Sequence, residues 1–334
     1  MRDNPVSFRV LGMFGGREKA AELSRKLMKK VKKAANFLIY LVLFPLWYRR
    51  GAPERTNIDY ISFPEKARGG RPLPRIVWIY WDDPEYPEYI DILVSRIRDL
   101  NRDFDVRFLN RKTVTHYIDD YMNAQPGLSA VTRADLIRLE LIKRYGGIWI
   151  DATSIVFENF SWIEEKFCEG QYNFVGYFSA CFTVNPNFPI LENWLIAAPP
   201  EDELICAWLD ELKKIVQFGA DAYFFHLKAR SDYQDILQKI KYPEYFLAYL
   251  SCQVAMRQVP SLSLHVRDSG QSGLLYHDLV NWVPYRIALM LCASAMPGSP
   301  PPLVKITHTE RYLINVILKF NLFNRRSFAG LLKG

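Results

Sequence analysis

The stretch ADLIRLELIKRYGGIWIDATS, residues 134–154, constrains the fold more than any other part of this chain. It predicts a helix, a break at the double glycine, and a short apolar strand without polar alternation, which is typical of a strand buried on both faces. The strand ends on Asp151, and open α/β sheets bind ligands at the carboxyl ends of their strands. Asp135 and Arg138 are three residues apart and share a helix face, whereas Glu140 points away from Asp135 and is expected to be a solvated charge. The spacing fits a ligand site made by Asp135, Arg138 and Asp151, and it fits equally an ordinary core helix and strand with a solvated carboxylate.

The order of the elements around this stretch indicates the fold class. RIVWIYW, residues 75–81, predicts a buried strand, and a helix over residues 87–101 and a second strand, DVRFL, follow it. An alternation of strand and helix that continues to Asp151 predicts an α/β fold with a mainly parallel sheet flanked by helices. Downstream, the sequence predicts strands at SIVF, NFVGYF and ACFTV, and helical additions over residues 201–218 and 221–257.

The charge of the chain is divided between its ends and its body. Residues 1–56 carry 13 Lys and Arg against 4 Asp and Glu, and residues 305–334 carry 6 against 1, whereas residues 57–304 carry 24 against 31. A nucleic-acid-binding protein usually has its positive charge on a folded face. Basic ends that also contain apolar runs fit an anionic membrane surface better, so we expect a membrane and no nucleic acid as a partner.

The two ends contain candidate membrane elements. Residues 17–33 combine basic residues with apolar ones at helical spacing, and an apolar run that includes Pro45 follows over residues 34–48. As a helix, this run is shorter than the roughly 30 Å hydrocarbon core of a bilayer. It fits an interfacial or shallowly inserted anchor, a short signal-anchor, or a helix that packs on the domain or on a partner. The basic C-terminal segment, residues 311–334, is a second candidate membrane contact.

The motifs of common enzyme classes are missing from the sequence. It contains no P-loop, G-x-G-x-x-G, G-x-S-x-G or H-E-x-x-H, so a kinase, an α/β-hydrolase or a metalloprotease lacks support. Five widely spaced cysteines without a C-x-x-C pair argue against a disulfide framework and indicate a reducing compartment. The remaining set of carboxylates, an arginine and aromatic residues at predicted strand ends suits a sugar nucleotide. Carboxylates accept hydrogen bonds from sugar hydroxyls, arginine donates to oxygen-rich ligands, aromatic rings stack on bases, and a divalent ion would offset the diphosphate's charge.

Residues 134–154 resemble the sugar-binding region of DXD-type glycosyltransferases with the GT-A fold. Within that group, the segment is most similar to the capsular polysaccharide synthesis proteins, whose signature runs S-D-x-x-R, Y-G-G and W-x-D-A-T. The large glucosylating toxins share the arrangement. RIVWIYW resembles the family's opening strand and PLVKITHTE its closing segment, so the resemblance covers residues 72–310, although only the central segment is specific.

The resemblance implies a role for each matching position. Asp135 and Arg138 match the residues that hold the donor sugar, and Asp151 matches the first Asp of the DXD motif, which contacts the ribose and the metal region. These three are the candidate catalytic residues. The other implied donor-binding residues are Ile79, Tyr80 and Trp81 near the nucleotide base, with Thr153 and His308, and the implied metal ligands are Asp151 and His308.

Two positions depart from an expected pattern. Ala134 stands where the capsular family has Ser, and the D-x-D motif of the wider glycosyltransferase group reads Asp151-Ala152-Thr153, a D-A-T form that the capsular family shares. A hydroxyl is a weaker ligand than a carboxylate for a hard dication. The sequence therefore predicts a lower affinity for the implied cofactor, Mn²⁺ or Mg²⁺, or an ion held by Asp151, the diphosphate and another residue.

These observations together imply a membrane-associated glycosyltransferase. It would move a hexose from a nucleotide sugar, a UDP-sugar, to a glycan or lipid-linked acceptor in capsule or surface polysaccharide synthesis. The transfer would retain the anomeric configuration, and the enzyme would work at the cytoplasmic face of a membrane. One alternative is a non-catalytic, membrane-associated scaffold of a polysaccharide-assembly complex, and another is nucleic-acid binding through the basic ends. The expected organisation is a membrane-associating segment over residues 1–56, a linker over 57–74, a GT-A-like domain over 75–310 and a basic amphipathic segment over 311–334.

Overall fold

A computed structural model of the chain describes residues 7–54, 57–63, 71–119, 127–169, 172–260 and 262–333, with side chains from residue 22 onward. Parts of the predicted N-terminal segment and of the predicted linker, residues 1–6, 55–56 and 64–70, lie outside the described residues. The chain forms two compact units. The smaller unit contains the N-terminal segment to Ala52 with residues 280–296 and 308–330, and the larger unit contains the rest of the chain.

The larger unit is built on a seven-stranded sheet with the order β1-β8-β6-β7-β4-β2-β3. The pairings make five strands point in one direction, while β1 and β7 run antiparallel to them. The predicted α/β class with a mainly parallel sheet is confirmed. A separate two-stranded antiparallel sheet pairs β5 with β9. The strands are β1 Tyr60–Phe63, β2 Ile76–Trp81, β3 Asp105–Asn110, β4 Gly147–Ile150, β5 Ser154–Val156, β6 Phe174–Phe178, β7 Leu191–Ala198, β8 Leu264–Asp268 and β9 Leu303–Lys305.

Helices of the larger unit flank its sheet and supply much of its core. Trp208 of α5 is fully buried and donates a hydrogen bond from Nε1 to the carbonyl of Ala248 in α9, at 2.9 Å, which joins the helical additions to each other. The helices are α1 Ser7–Trp47, α2 Tyr89–Leu100, α3 Ala130–Tyr145, α4 Ser161–Cys168, α5 Glu203–Leu212, α6 Lys214–Phe218, α7 Ala220–Lys228, α8 Tyr233–Leu237, α9 Leu247–Met256, α10 Leu275–Leu279, α11 Pro284–Ala288 and α12 His308–Lys319.

Three local expectations differ from the structure. Residues 60–63, within the predicted linker, form the edge strand β1, because they pair with β8. ACFTV, residues 180–184, is a turn and not a strand, because Thr183 donates hydrogen bonds from its N–H (3.0 Å) and its hydroxyl (2.7 Å) to the carbonyl of Ser179. Glu140 is buried rather than solvated, since it pairs with Arg144 at 3.1 Å and with Lys213 at 3.3 Å.

The smaller unit consists of α1, α11, residues 289–293 in a π-helical turn, and α12. Tyr40 of α1 is fully buried and donates a hydrogen bond to the carbonyl of Leu322 at 2.7 Å. Of the described helices, none is both long enough and apolar enough to cross a membrane. Leu313 and Ile317 of α12 are buried, while Phe320, just after the helix, is exposed. The predicted membrane contact of residues 311–334 stays a prediction.

Candidate active site

The candidate site lies where three neighbouring strands end. β3, β2 and β4 are parallel, with Trp81 paired with Asn110 and Trp78 paired with Trp149. Parallel strands have their carboxyl ends at one edge of a sheet. Trp81, the last residue of β2, and Asp151, the first residue after β4, therefore reach the same edge.

The double glycine between α3 and β4 positions Asp151. Gly146 ends α3 by donating its N–H to the carbonyl of Ile142, and both glycines have positive φ, 64° and 95°. A Cβ atom at Gly147 would lie 2.5 Å from the carbonyl oxygen of Ile76 in β2. Because only glycine permits this close approach, the sequence Gly-Gly fixes where β4 begins and hence where Asp151 emerges.

Arg138 joins the two predicted carboxylates into one cluster. Its Nη1 lies 2.9 Å from Asp135 Oδ1, and its Nη2 donates to Asp151 Oδ1 at 3.2 Å. The buried guanidinium also lies over the ring of Trp149, 5.1 Å from the centroid. The structure thus brings together the three side chains that the sequence predicts. Since Arg138 is buried and directed at both carboxylates, it positions them, and Asp151, whose side chain is 28% exposed, is the most open of the three.

A second cation, Lys305, reaches the cluster from β9. Its side chain is buried, and its Nζ lies 3.0 Å from Asp151 Oδ2 and donates to Thr153 Oγ1 at 2.7 Å. Lys305 is paired with Ser154 in the small sheet, and the next N–H, of Ile306, donates to the carbonyl of Thr153 at 2.8 Å. The backbone of β9 therefore holds the ammonium group against the first and third residues of the Asp-Ala-Thr motif.

The two carboxyl groups of the cluster differ in acidity. Burial raises the pKa of Asp135 to about 6, with the charge of Arg138 acting in the opposite direction and that of Asp151 adding to the rise. Burial also acts to raise the pKa of Asp151, but Lys305 and Arg138 together outweigh it and hold this pKa below its usual value. Asp151 is therefore a carboxylate at neutral pH, while Asp135 loses its proton close to pH 6.

Asn193 belongs to the cluster although the sequence prediction omits it. Its Nδ2 donates to Asp135 Oδ1 at 3.0 Å, from the strand β7 that neighbours β4. Successive side chains of a strand point to opposite faces of the sheet, so the side chain of the preceding Glu192 lies on the face opposite to that of Asn193. The buried Glu192 carboxyl accepts hydrogen bonds from Trp194, Tyr249 and Ser269. Strand alternation in LENWLIAA is the sequence signal that could have identified Asn193.

The residues of the opening strand have different environments. Ile79 is fully buried in the core, and the buried Tyr80 donates its hydroxyl to Asp82 at 2.7 Å. Asp82 also accepts from Arg133 Nε of α3 at 2.7 Å. Trp81 is half-buried at the strand end. Of the three residues predicted to lie near a nucleotide base, Trp81 is therefore the most exposed and the one at the end of the strand.

His308 belongs to the smaller unit. It begins α12 in the smaller unit, where its side chain is exposed, and burial, followed by the charges of Arg311 and Lys33, lowers its pKa. Its predicted contact with a metal or a diphosphate stays a prediction.

The donor atoms around Asp151 do not fit a divalent cation. Asp151 Oδ1 accepts from Arg138 and from Trp149 Nε1 at 3.0 Å, while Asp151 Oδ2 and Thr153 Oγ1 both contact the ammonium group of Lys305. A dication bound by these oxygens would face that ammonium group directly, and like charges in a buried site repel strongly. In the part of the chain that the structure describes, no group of three or more His, Cys, Asp or Glu residues is placed to hold a metal ion.

The arrangement can bind a polar, oxygen-rich anion. Asp151 and Asp135 can accept hydrogen bonds from hydroxyl groups, and Lys305 with Arg138 balances the charge of the two carboxylates. Fixed charges in a half-buried site stabilise developing charge more effectively than the same charges in water.

Comparison with known proteins identifies relatives of this chain. The family model described as capsular polysaccharide synthesis protein matches residues 54–226, which is just over half of the chain. The matched range contains every residue of the cluster except Lys305, namely Asp135, Arg138, Asp151, Thr153 and Asn193. The O-glycosyltransferase braB of Annulohypoxylon truncatum is 28% identical over an alignment of 169 residues, and the match covers 45% of this chain and 39% of braB. This chain therefore spans about two fifths of the length of that curated relative.

Similar solved structures include the PaToxG glycosyltransferase, with a TM-score of 0.34 and 12% identity over 92% of this chain and 97% of that one. Another is the galactosyltransferase LgtC with donor and acceptor sugar analogs, with a TM-score of 0.33 and 10% identity over 72% of this chain and 94% of that one. These scores are too low to relate the chemistry of either protein to this chain. From the family match, the chain belongs to the capsular polysaccharide synthesis protein family.

Proposed function

We propose that this protein is a glycosyltransferase that moves a hexose from a UDP-sugar to a glycan or lipid-linked acceptor in surface polysaccharide synthesis, with retention of configuration. The observation that carries the proposal is the cluster of Asp135, Arg138 and Asp151 at the carboxyl edge of the sheet. Three observations support the proposal: membership of the family, the α/β fold, and the activity in the name of the curated relative. We propose that the fold is of the GT-A type.

The cluster gives each residue a defined task in sugar transfer. Asp135 and Asp151 accept hydrogen bonds from the sugar and ribose hydroxyls, and Arg138 keeps the two carboxylates at a fixed distance. Trp81, at the end of β2, packs against the nucleotide base. In the reaction, the bond between the anomeric carbon and a diphosphate oxygen breaks, and its electron pair remains on the diphosphate. A new bond forms to the acceptor hydroxyl oxygen, whose proton passes to the departing diphosphate or to solvent.

Calorimetric titration with a panel of UDP- and GDP-sugars tests this function. We expect saturable binding of at least one donor, with slow hydrolysis of that donor in the absence of acceptor. Binding of no nucleotide sugar would contradict the proposal.

A non-catalytic scaffold is the second candidate function. The observation that favours it is that the charges of the cluster are already paired with each other, as in a purely structural ion network. If the protein is a scaffold, the same titration should detect no binding of nucleotide sugars. Other polysaccharide-assembly proteins should then co-purify with it whether or not Asp151 is replaced.

An anionic membrane surface, on its cytoplasmic face, is the proposed partner of α1. The helix has Lys26 and Lys30 in its basic part and the exposed apolar side chains Leu38, Val42 and Leu46 in its second half. Basic residues beside an exposed apolar face suit binding to the interface of a bilayer. The five free cysteines agree with a reducing compartment.

A further inference from the structure

The side chain of Lys305 has an environment that lysine seldom occupies. Lysine is almost never buried unless it is paired, and Lys305 is paired with the first and third residues of the Asp151-Ala152-Thr153 motif. Its backbone is fixed on both sides, because its N–H donates to the carbonyl of Gly273 and the N–H of Ile306 donates to that of Thr153, both at 2.8 Å. The position of the Lys305 side-chain nitrogen beside Asp151 and Thr153 is therefore fixed.

We propose that Lys305 supplies the positive charge for the diphosphate of the donor, in the place that the family resemblance gives to a divalent cation, so that donor binding requires no metal ion. This inference rests on the proposed function, and it names the group at the same site that meets the leaving diphosphate.

The charge balance of the cluster supports this role. Asp135 and Asp151 share the single charge of Arg138. Without Lys305, the cluster would carry one excess negative charge beside an anionic diphosphate, which opposes binding. With Lys305, the ionised cluster is neutral, so the ammonium and guanidinium groups can offset the charge that develops on the diphosphate as it leaves.

The third residue of the motif has a physical explanation on this basis. A carboxylate at position 153 would add a negative charge beside Asp151 and would attract a dication. Thr153 instead presents a neutral hydroxyl oxygen, which accepts the hydrogen bond from Lys305 at 2.7 Å. Thr153 in place of a carboxylate therefore suits the presence of Lys305. In this arrangement the ammonium group takes the role that a metal ion would have.

Calorimetry with UDP, GDP and inorganic pyrophosphate, each in EDTA and in Mn²⁺, tests the proposal on the full-length protein. We expect the unmodified protein to bind with the same affinity in both conditions. Lys305→Met should weaken binding by about 10- to 100-fold, the loss of one charge-assisted contact, and Lys305→Arg should retain most of the affinity. Lys166→Met is the matched control, because Lys166 of α4 is outside the cluster and pairs with Glu169 at 2.6 Å, and it should leave binding unchanged.

A double variant provides the converse test. Lys305→Ala with Thr153→Asp removes the ammonium group and adds a carboxylate, so binding of UDP should become dependent on Mn²⁺, and electron paramagnetic resonance should detect bound Mn²⁺ in this variant alone. Thermal melting monitors folding of each variant.

The outcomes separate this inference from the proposed function. If the unmodified protein binds UDP or GDP only with Mn²⁺, the role of Lys305 is wrong while the function stands. If pyrophosphate binds through Lys305 but no nucleotide binds, the contact of Lys305 with a diphosphate is upheld, while the nucleotide-sugar function, and with it the donor, is wrong. If no probe binds in either condition, both are wrong.

Discussion

Asp135→Asn provides a quantitative test of the cluster through its pH-dependent stability. Burial raises the pKa of Asp135 from 3.8 to about 6 in the folded protein. Since each pKa unit corresponds to about 1.4 kcal/mol, ionising this group in the folded state costs about 3 kcal/mol. Between these two pKa values the folded state binds more protons than the unfolded state, so stability falls as pH rises, and the loss is complete above about pH 6.

The assay is urea unfolding of the unmodified protein and of Asp135→Asn at a series of pH values. The variant lacks this titration, so its free energy of unfolding relative to the unmodified protein should rise by about 2.4 kcal/mol between pH 4 and pH 7, because the unfolded-state carboxyl is already more than half ionised at pH 4. The attraction between ionised Asp135 and Arg138 already contributes to this pKa, so its loss in the variant is part of the same pH-dependent difference. Asp119→Asn is the control, because Asp119 is exposed and Arg144 lowers its pKa, so its difference curve should have the opposite sign. A flat curve for Asp135→Asn, or one that falls with pH, would refute the assigned environment of Asp135.

Two further predictions concern the glycine turn and the N-terminal helix. Gly147→Ala should lower the free energy of unfolding in urea by about 3 kcal/mol or more, because its Cβ would meet the carbonyl of Ile76. Gly219→Ala is the control: Gly219 also has a positive φ but has open space around it, so the substitution should cost about 1 kcal/mol. Val42→Glu should reduce co-sedimentation with vesicles containing phosphatidylserine, because Val42 is 77% exposed on the apolar face of α1. Val184→Glu is the control, because Val184 is 58% exposed in the turn at residues 180–184 and should leave co-sedimentation unchanged. Unchanged recovery of the Val42→Glu protein would remove α1 as the membrane contact.

The local pattern of the sequence predicts the centre of the fold well. The strand at residues 75–81, the helix of Asp135 and Arg138, the glycine break and the emergence of Asp151 at a strand end all follow from neighbouring residues, and the structure contains each of them. These features are predictable because helix periodicity, the apolar run and the glycine conformations act over a few residues.

Contacts between distant parts of the chain are not predictable in this way. Lys305 meets Asp151 and Thr153 only because β9 pairs with β5, and no local pattern specifies this pairing. Asn193 reaches Asp135 for a similar reason, through the antiparallel neighbour of β4. The burial of Glu140 depends on Lys213 of the distant segment after α5.

Competition between local signals explains the misplaced strand. Residues 180–184 have the apolar and β-branched composition of a strand, yet hydrogen bonds from Thr183 to Ser179 fold them into a turn. The adjoining Asn185-Pro186-Asn187 favours a turn as well. The strand lies instead at residues 191–198, where LENWLIAA can pair with both β4 and β6.

The most direct test of the central claim is a radiolabelled sugar-transfer assay with the unmodified protein and Asp151→Asn. Asp151 is the open carboxylate of the cluster and contacts both Arg138 and Lys305, so its charge should be needed for donor turnover. We predict transfer or slow hydrolysis of one nucleotide sugar by the unmodified protein, and loss of that turnover in Asp151→Asn with an unchanged circular dichroism spectrum. Full activity of Asp151→Asn would contradict the assignment of the site.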